Sequence, residues 1–494
     1  MDWKKHQKIL FRLQRRLYKA VREGDLRKAR SIQRLILKSL SAKLLAIRQV
    51  TQLNKGKRTA GVDGKASLTH RQRFLLLGEL NDCATTWKHS RLREIPIPKK
   101  NGKTRILKVP TIKDRAWQCL VKYALEPAHE ATFHARSYGF RTGRSAHDAL
   151  MYVHKNFQSN HNGARKRVIE LDIKKCFDRI SHASIMEALI APKAIKQGIF
   201  RCLKAGINPE FPEQGTPQGG VVSPLLANIA LNGIEEIHPS VRYADDMLIF
   251  LKPGDKAENI LEKVKTFLKE RGMEISEEKT RITKSTDGFD FLGWNFINNK
   301  KNGKHIVTPS AENYLAFRDK VKKIVNNSNY GAKVKAQKLA PIVRGWRNYH
   351  KFCKMDGSRN SLWFMNNDAF DRFKKEKKID RIEAAKLAKK AFPAVKWKEF
   401  KHTMVQGTRS PYDGDLVYWS QRNSKLYNNA TAKALKKQKH TCGLCGLKFL
   451  GNEDVHLHHI DGNHDNWNPK NLLAVHHSCH QLTHGGKSFD KPKG

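Results

Sequence analysis

A length of 494 residues exceeds what one hydrophobic core normally serves, so several domains are expected. The 95 Lys and Arg residues against 46 Asp and Glu give a formal net charge of +49, which favours a nucleic-acid partner. A ribosomal or membrane-surface basic protein is the alternative that composition leaves open. No stretch reaches the roughly 20 apolar residues of a membrane span, and no signal-peptide run follows Met1, so no membrane partner is expected.

Residues 1–60 are predicted to form a basic, helical N-terminal domain. They contain 18 Lys and Arg against 3 Asp and Glu. Apolar residues recur in steps of four, which predicts amphipathic helices with basic outer faces. These positions are Ile9, Leu13, Leu17, Val21, Ile32, Ile36, Leu40 and Leu44.

Residues 61–300 are predicted as an α+β domain. Short β-prone runs alternate with helical stretches and Gly/Pro turns, which is typical of that class. The clearest runs are Arg105–Val109, Val168–Ile173 and Met247–Leu251. The pattern of Ile95–Leu107 predicts a hairpin with basic strands and tip, for which a solvated surface hairpin is the alternative.

Two adjacent acids, Asp245 and Asp246, interrupt two apolar runs, which predicts a hairpin with carboxylates at its tip. Because adjacent carboxylates repel each other, a fold keeps them mainly where divalent cations neutralise them. Asp172, at the end of another buried-strand pattern, can supply a third carboxylate. Such a set can hold two Mg²⁺ ions for nucleotidyl transfer to a primer 3′-hydroxyl. For the acid pair alone, an ordinary acidic turn is the alternative.

Residues 301–430 are predicted as a second basic, helical domain. Over residues 301–440, 33 Lys and Arg stand against 11 Asp and Glu. An excess of this size favours contact with nucleic acid over solvated helix faces.

Residues 431–494 form a last domain that is rich in Cys and His. Two pairs have the spacing of a tetrahedral structural zinc site, and their members are Cys442, Cys445, His476 and Cys479. His456, His458 or another nearby histidine is an alternative to His476, because the region has more histidines than one ion needs. The clustering indicates metal rather than disulfide, and a zinc knuckle that binds DNA without chemistry is the alternative to a catalytic domain.

The central domain resembles the reverse-transcriptase family. The family's signature acid box stands here at residues 243–246, and its Gln-Gly loop at residues 215–228, in family order. The resemblance implies a right-hand fold with fingers and palm, in which Asp172, Asp245 and Asp246 hold two Mg²⁺ ions. It also implies RNA-directed DNA polymerase activity with dNTPs as substrates.

The same resemblance assigns roles to five residues of a nucleotide site. Lys99 and Arg105 match positions that grip the triphosphate, for which Arg offers a bidentate fork. Phe177 matches a steric gate that excludes a 2′-hydroxyl, with core packing as the alternative. Gln218 and Tyr243 are expected to contact the incoming nucleotide.

Further features are similar to proteins encoded by group II introns. The basic N-terminal extension leads into Thr59–Gly64, and Ser137–Arg141 matches an insertion motif of this group. Thr142 stands where a proline is usual, which is a small departure.

Pro341–His350 is similar to the thumb or X domain, which in this family grips the intron RNA and helps it splice. Arg344 and Arg347 offer phosphate contacts, as RNA binding requires. For Trp346 and Tyr349, three residues apart, we favour core packing over direct contact with RNA.

The last domain resembles the HNH, or ββα-metal, nuclease family. The segments that carry this resemblance are His458–Gly462, Asn468–Leu473 and Cys479–His484. By motif match, His459 would be the general base and Asn471 would orient it. His458, His480 and His484 would hold one catalytic divalent ion, with His480 and His484 on one helix face.

Together these patterns predict an α+β multidomain protein with a right-hand polymerase, a helical thumb and a small zinc-stapled ββα nuclease. The expected protein is encoded by a group II intron, binds its intron RNA as a ribonucleoprotein, assists splicing, and cuts target DNA to prime cDNA synthesis. The alternatives are a maturase whose polymerase is incidental, and a reverse transcriptase of a phage-defence or CRISPR-associated system. A bacterial cytoplasm is expected, with an organelle as the alternative, and a homodimer is left open.

Overall fold

A computed structural model describes residues 3–98, 102, 104–206, 211–376, 379–427, 429–447, 449 and 455–485. Buried apolar side chains in these ranges form one large cluster in the N-terminal and central regions and a second around the helices that follow. A third, small cluster lies near the C-terminus. None of the described helices combines the length and apolar character that a bilayer crossing requires.

The N-terminal helices pack on one another and on a long central helix. They are α1 (Trp3–Arg22), α2 (Leu26–Lys38), α3 (Leu40–Arg48) and α4 (His70–Cys83), and the central helix is α5 (Ile112–Glu130). The second predicted apolar run divides at Ser39, whose hydroxyl accepts a hydrogen bond from the Ala42 amide and caps α3. Because the helix restarts there, Leu40 leaves the buried stripe and is exposed.

The central domain contains a hairpin and a four-stranded antiparallel sheet. The hairpin, here called the fingers hairpin, consists of β1 (Arg93–Pro98) and β2 (Thr104–Val109). The sheet, here called the palm sheet, has the order β4-β5-β3-β6, with strands β3 (Arg167–Leu171), β4 (Ser240–Tyr243), β5 (Asp246–Leu251) and β6 (Arg281–Lys284). Strands β2, β3 and β5 confirm the three β runs that the sequence predicts.

Six further helices belong to the central domain. They are α6 (Ala146–Phe157), α7 (Cys176–Arg179), α8 (His182–Ala188), α9 (Lys193–Ala205), α10 (Ser223–Leu231) and α11 (Ala257–Lys269). Apolar side chains of α8 to α11 join those of α5 and the palm sheet in the first cluster, so the sheet has a rigid support.

A second, three-stranded sheet leads into the basic helical region. Its strands are β7 (Phe289–Phe291), β8 (Trp294–Asn298) and β9 (His305–Pro309), in that order. The helices that follow, here called the thumb helices, are α12 (Ala311–Val325), α13 (Ala332–His350), α14 (Asp356–Phe373) and α15 (Arg381–Ala391). The helical region therefore begins at Ala311 rather than at 301, because β9 completes the sheet before the chain turns helical.

After α15 the chain returns to the central domain as an irregular segment, residues 392–415, here called the strap. The buried Asp148 of α6 is hydrogen-bonded to His402 (3.2 Å) and to the Val405 amide (2.8 Å), and it pairs with Arg422 (3.0 Å). The prediction of helix is wrong for the strap, whose two prolines and two glycines do not propagate one. The buried Asp148 contacts fix its path instead.

The C-terminal module follows two connecting helices, α16 (Leu416–Leu426) and α17 (Asn429–Lys437). It consists of an antiparallel hairpin, β10 (Val455–His459) and β11 (Leu472–His476), followed by α18 (His477–Gly485). The described residues of this region thus have the ββα order of elements.

Candidate polymerase site and metal centre

The two adjacent acids lie at the turn between β4 and β5. Tyr243 pairs with Asp246 in the antiparallel register, so Ala244 and Asp245 form the turn. Ala244 has a left-handed backbone with φ of 60°, as the first central residue of a type II′ hairpin turn requires. Gly139 packs beneath the turn, and a side chain at that position would overlap the backbone of Ala244. The shape of the turn is therefore fixed both by its own backbone and by this neighbour.

Asp172 follows β3 directly and lies across from the turn. Leu171 of β3 pairs with Met247 of β5, so the next step of the register sets Asp172 opposite Asp246. Lys279 Nζ lies 2.9 Å from Asp172 Oδ2. Carboxylates from neighbouring strands therefore meet at one end of the palm sheet, and oxygen ligands of this kind fit Mg²⁺.

The electrostatics of this end of the sheet favour a cation. Burial, and then the charges of Asp245 and Asp172, raise the pKa of Asp246 to about 6 against the opposing charge of Lys279. Burial also raises the pKa of Asp245, and Asp172 adds to the rise. A divalent cation among these groups would stabilise their ionised forms and reverse both shifts.

A cleft of about 1450 Å³ opens beside the acids. Arg105, Asp172, Phe177, Gln218 and Asp245 all line it, although they come from four separate parts of the sequence. Phe177 also packs against the first hydrophobic cluster, so one face of the ring serves the core while another lines the cleft. The predicted nucleotide-site residues are thus largely brought together.

The loop that carries Gln218 is held against the fingers hairpin. The Lys108 amide donates a hydrogen bond to the Gln218 carbonyl at 2.8 Å. Gly219 has φ of 124°, and a Cβ there would lie 2.9 Å from the Lys108 carbonyl oxygen. Glycine therefore permits the close approach of loop and strand, while the Gln218 side chain lines the cleft.

Two predicted nucleotide-binding residues are not placed at the cleft. Lys99 lies outside the described residues. Tyr243 is half-buried and packs against the second hydrophobic cluster, and burial raises its pKa. Contact of Tyr243 or Lys99 with a nucleotide stays a prediction.

The aromatic residues of α13 belong to the core, as we favoured from the sequence. The Trp346 indole N–H donates to Asn313 Oδ1 at 2.9 Å, and the Tyr349 hydroxyl donates to the Leu292 carbonyl at 2.7 Å. Tyr349 also stacks on Trp294 with ring centroids 4.5 Å apart. These contacts fix α13 against the three-stranded sheet.

The two predicted RNA-binding arginines lie on the outer side of α13. Arg344 is exposed and has no hydrogen-bond or ion-pair partner among the described residues. Arg347 is half-buried, and burial lowers the pKa of its guanidinium. It lines a cavity of about 330 Å³ together with Lys389 and Trp363, whose side chain is 60% exposed. Trp363 is a candidate stacking residue that the sequence did not single out.

The C-terminal module brings the four predicted zinc ligands together. Their ligand atoms all lie within 4.8 Å of one another. Cys445 Sγ is 3.3 Å and Cys479 Sγ is 3.7 Å from His476 Nδ1. Hydrogen bonds from Cys445 and Cys479 hold the pKa of the Cys442 thiol well below its ordinary value. The cluster has the donor set of a closed structural metal site, with His476 as its imidazole.

The predicted general base of the nuclease lies at the end of β10. His459 is buried, and neither of its ring nitrogens has a hydrogen-bond partner within the described ranges. The Asn471 amide donates to Asp461 Oδ1 at 2.8 Å and to the Asn466 carbonyl at 3.0 Å. Asn471 therefore shapes the loop after β10 rather than contacting the His459 ring.

Of the three predicted ligands of the nuclease metal, the structure describes the side chains of two. The rings of His458 and His480 lie 5.5 Å apart, and the side chain of His484 lies outside the described residues. A second imidazole pair, which the sequence did not single out, is formed by His477 and His456, with Nδ1 of the first 2.9 Å from Nε2 of the second. The alternation of His456 and His458 on one face of β10 was the available signal.

Three protein families match successive parts of the chain. Residues 1–80 match the N-terminal domain of reverse transcriptase, and residues 97–296 match reverse transcriptase (RNA-dependent DNA polymerase). Residues 315–377 match the maturase-specific domain of group II introns. The matched order is that of the N-terminal helices, the central domain and the thumb helices.

Maturase-like protein 1 of Euglena gracilis is 40% identical over 392 residues, which cover 79% of this chain and 85% of the relative. The chain belongs to the group II intron reverse transcriptase and maturase family. The group II intron-encoded protein LtrA of Lactococcus lactis subsp. cremoris is 28% identical over 380 residues, covering 59% of this chain and 62% of the relative. Among solved structures, a telomerase from Candida albicans with a telomeric RNA fragment matches with a TM-score of 0.33 at 11% identity, over 62% of each chain.

In this group II intron protein, a buried arginine that the sequence analysis gave no role supports the catalytic turn. Arg242 pairs with Glu235 at 2.6 Å, both side chains being inaccessible to solvent. The same guanidinium donates to the Ala244 carbonyl at 3.0 Å and to the amide oxygen of Asn228 at 2.9 Å. The signal was an arginine inside the apolar run before the acids, a position where charge is costly unless paired.

We expect Arg242→Met to impair both stability and polymerisation. Removing the guanidinium leaves Glu235 buried and unpaired, which costs about 3–5 kcal/mol of unfolding free energy. Loss of the Ala244 contact should shift the turn and lower primer extension about 100-fold at temperatures where the variant is folded. Denaturant unfolding and primer-extension rates measure the two effects.

Arg141→Met is the matched control, because Arg141 forms another buried pair, with Glu130 at 2.8 Å, and does not contact the Ala244 carbonyl. It should lose comparable stability while retaining most polymerisation. Equal loss of primer extension in the two folded variants would show that Arg242 has no specific role at the turn.

The raised pKa of Asp246 makes the stability of the metal-free protein depend on pH. The folded state holds this proton more tightly than the unfolded state, so ionisation destabilises the fold as pH rises from about 4 through about 6. In the presence of a chelator, Asp246→Asn should therefore raise stability by about 1 kcal/mol at pH 8, with solvent screening allowed for. The gain should disappear near pH 4 in thermal unfolding, and a gain that persists there would have another cause.

Proposed function

We propose that this protein is the RNA-directed DNA polymerase and maturase of a group II intron, which binds the intron RNA, assists its splicing and supports its mobility. The observation that carries the proposal is the cleft in which Asp172 and Asp245 meet Arg105, Phe177 and Gln218. The same chain continues into basic thumb helices of the maturase family. Polymerase and RNA-binding parts are therefore joined in one molecule.

Each residue of the cleft has a separate role in nucleotide addition. Arg105 binds the triphosphate through its fork of N–H donors, and Gln218 contacts the incoming nucleotide. The Phe177 ring stands against the sugar and excludes a 2′-hydroxyl, so dNTPs are preferred. Asp172, Asp245 and Asp246 would hold two Mg²⁺ ions, which lower the pKa of the primer 3′-hydroxyl and neutralise the pyrophosphate.

The outer face of the thumb helices is proposed to bind the intron RNA. Arg344 offers an uncommitted guanidinium to phosphate, and Arg347 lies beside the exposed Trp363 ring. A cation next to an exposed indole suits a phosphate with a stacked base. The Trp346 indole and the Tyr349 phenol of α13 hold the helix in place instead.

The C-terminal module is proposed to be an HNH nuclease that cuts target DNA and supplies the primer. Cys442, Cys445, His476 and Cys479 would hold a structural Zn²⁺, since three thiols and an imidazole are a zinc donor set. The unpartnered, buried ring nitrogens of His459 suit a general base that awaits substrate. His458, His480 and His484 would hold the catalytic divalent ion.

Primer extension on an RNA template with dNTPs and Mg²⁺ tests the polymerase. Asp245→Asn with Asp246→Asn should abolish the product, because the ligands for both ions are weakened, while RNA binding in a filter assay stays unchanged. Asp290→Asn is a control, since Asp290 is an exposed acid of β7. A parent protein that binds RNA yet makes no product would favour the maturase with an incidental polymerase.

Strand nicking of duplex DNA tests the nuclease. His459→Ala should lower the rate about 100- to 10,000-fold, as loss of a general base does, and should leave primer extension unchanged. His464→Ala is the matched control, because His464 is an exposed imidazole whose ring lies 5.0 Å from that of His459. A zinc-loaded parent that binds DNA without nicking it would identify the module as a DNA-binding knuckle.

A further inference from the structure

The Cys/His cluster of the C-terminal module lies against the N-terminal helices, at the other end of the sequence. A cavity of about 1260 Å³ is lined by Arg48 of α3 and by Gly446, Leu447 and His476 of the module. A Cβ at Gly446 would lie 2.8 Å from Lys4 Nζ, so the Lys4 ammonium of α1 contacts the residue that directly follows Cys445. Two cations of the N-terminal domain, Arg48 and Lys4, therefore lie on the side of the module that carries the Cys/His cluster.

Arg48 is an unusual cation in this fold. Its side chain is 3% exposed, and its guanidinium lies over the Trp3 ring at 4.4 Å. Its Nε has no hydrogen-bond partner, and no carboxylate of the described residues lies within ion-pair distance. Burial lowers the pKa of Arg48, and the charges of Cys479 and Cys445 are the largest influences that raise it. Arg48 and His476, one of the four residues of the Cys/His cluster, line the same cavity.

Metal loading would give the cluster a negative charge that can act as the counter-charge of Arg48. Three thiolates and one neutral imidazole around Zn²⁺ carry a net charge of −1. Because no carboxylate of the described residues pairs with this buried guanidinium, an anionic centre beside Arg48 would stabilise both partners. The exposed Lys4 adds a second favourable charge at the edge of the contact.

We propose that Arg48 and Lys4 form a docking site for the metal-loaded Cys442, Cys445, His476 and Cys479 centre, so that zinc binding fixes the C-terminal module against the N-terminal helices. This inference rests on the proposed zinc site. The docked module has a restricted position relative to the polymerase cleft. Without zinc, the chain that leads into the module stays bound to the central domain. Its contacts with Asp148, made by the Val405 amide and by Arg422, do not involve the cluster.

Hydrogen–deuterium exchange on the zinc-loaded full-length protein tests the docking. In Lys4→Glu, the amides of residues 3–12 and 44–53 should exchange about fivefold faster, the factor expected when a partly exposed ionic contact is lost. Lys28→Glu is the matched control, because it makes the same charge change at an exposed position of α2. It should leave exchange in both segments unchanged.

Arg48→Met should have the same effect as Lys4→Glu, and Arg48→Lys should restore part of the protection because it retains the charge. Zinc content, measured by atomic absorption, should stay at one ion per chain in all variants. Removal of zinc from the parent with a chelator should reproduce the faster exchange of residues 3–12. Lys4 is an exposed residue of α1, so Lys4→Glu should leave α3 folded. The Lys4→Glu result therefore tests the docking even if Arg48→Met fails to fold.

The proposed zinc site and the docking fail in different ways. A parent protein that holds no zinc would overturn the metal centre and the docking with it. A parent that holds one zinc, with exchange unchanged in Lys4→Glu and after chelation, would overturn the docking alone. Faster exchange in Lys28→Glu equal to that in Lys4→Glu would also overturn it, because the effect would then be one of general charge.

Discussion

Mutual repulsion of the carboxylates at one end of the palm sheet is the constraint on which the rest of this structure depends. Asp172, Asp245 and Asp246 are placed there by the register of β3 and β5, and their charges oppose one another until cations arrive. Arg242 supports the turn from inside the sheet, because its guanidinium binds both Glu235 and the backbone of the turn. A strained, electrostatically costly turn is thus supported by a buried ion pair that has no access to substrate.

A buried charge that needs partners also joins distant parts of the chain. Asp148 of α6 would be an isolated buried charge if the strap did not bring His402 and the Val405 amide to it, and α16 did not bring Arg422. That requirement ties residues beyond the thumb helices back to the central domain. The position of the thumb is also fixed through α13, whose Tyr349 stacks on Trp294 of the three-stranded sheet. The central domain, the thumb helices and the strap are therefore joined by buried contacts.

Much of the fold follows from local sequence patterns. Strands β2, β3 and β5 and the ββα order of the C-terminal module agree with the predicted elements. The departures have identifiable causes: Ser39 caps a new helix inside an apolar stripe, β9 extends the second sheet past residue 300, and the strap replaces helix with buried polar contacts. In each case a contact remote in sequence, or a cap, outweighed the local apolar period.

By itself, the sequence determined which residues of the two centres are candidate metal ligands, because adjacent acids and paired cysteines are local patterns. It also determined the family, through motifs that keep their order along the chain. Only the tertiary structure decided which distant groups meet: Arg242 with Glu235 and the turn, and Asn471 with the loop rather than with His459. These pairings follow from the cost of burying a charge or a polar group without a partner, and sequence spacing does not reveal where that partner lies.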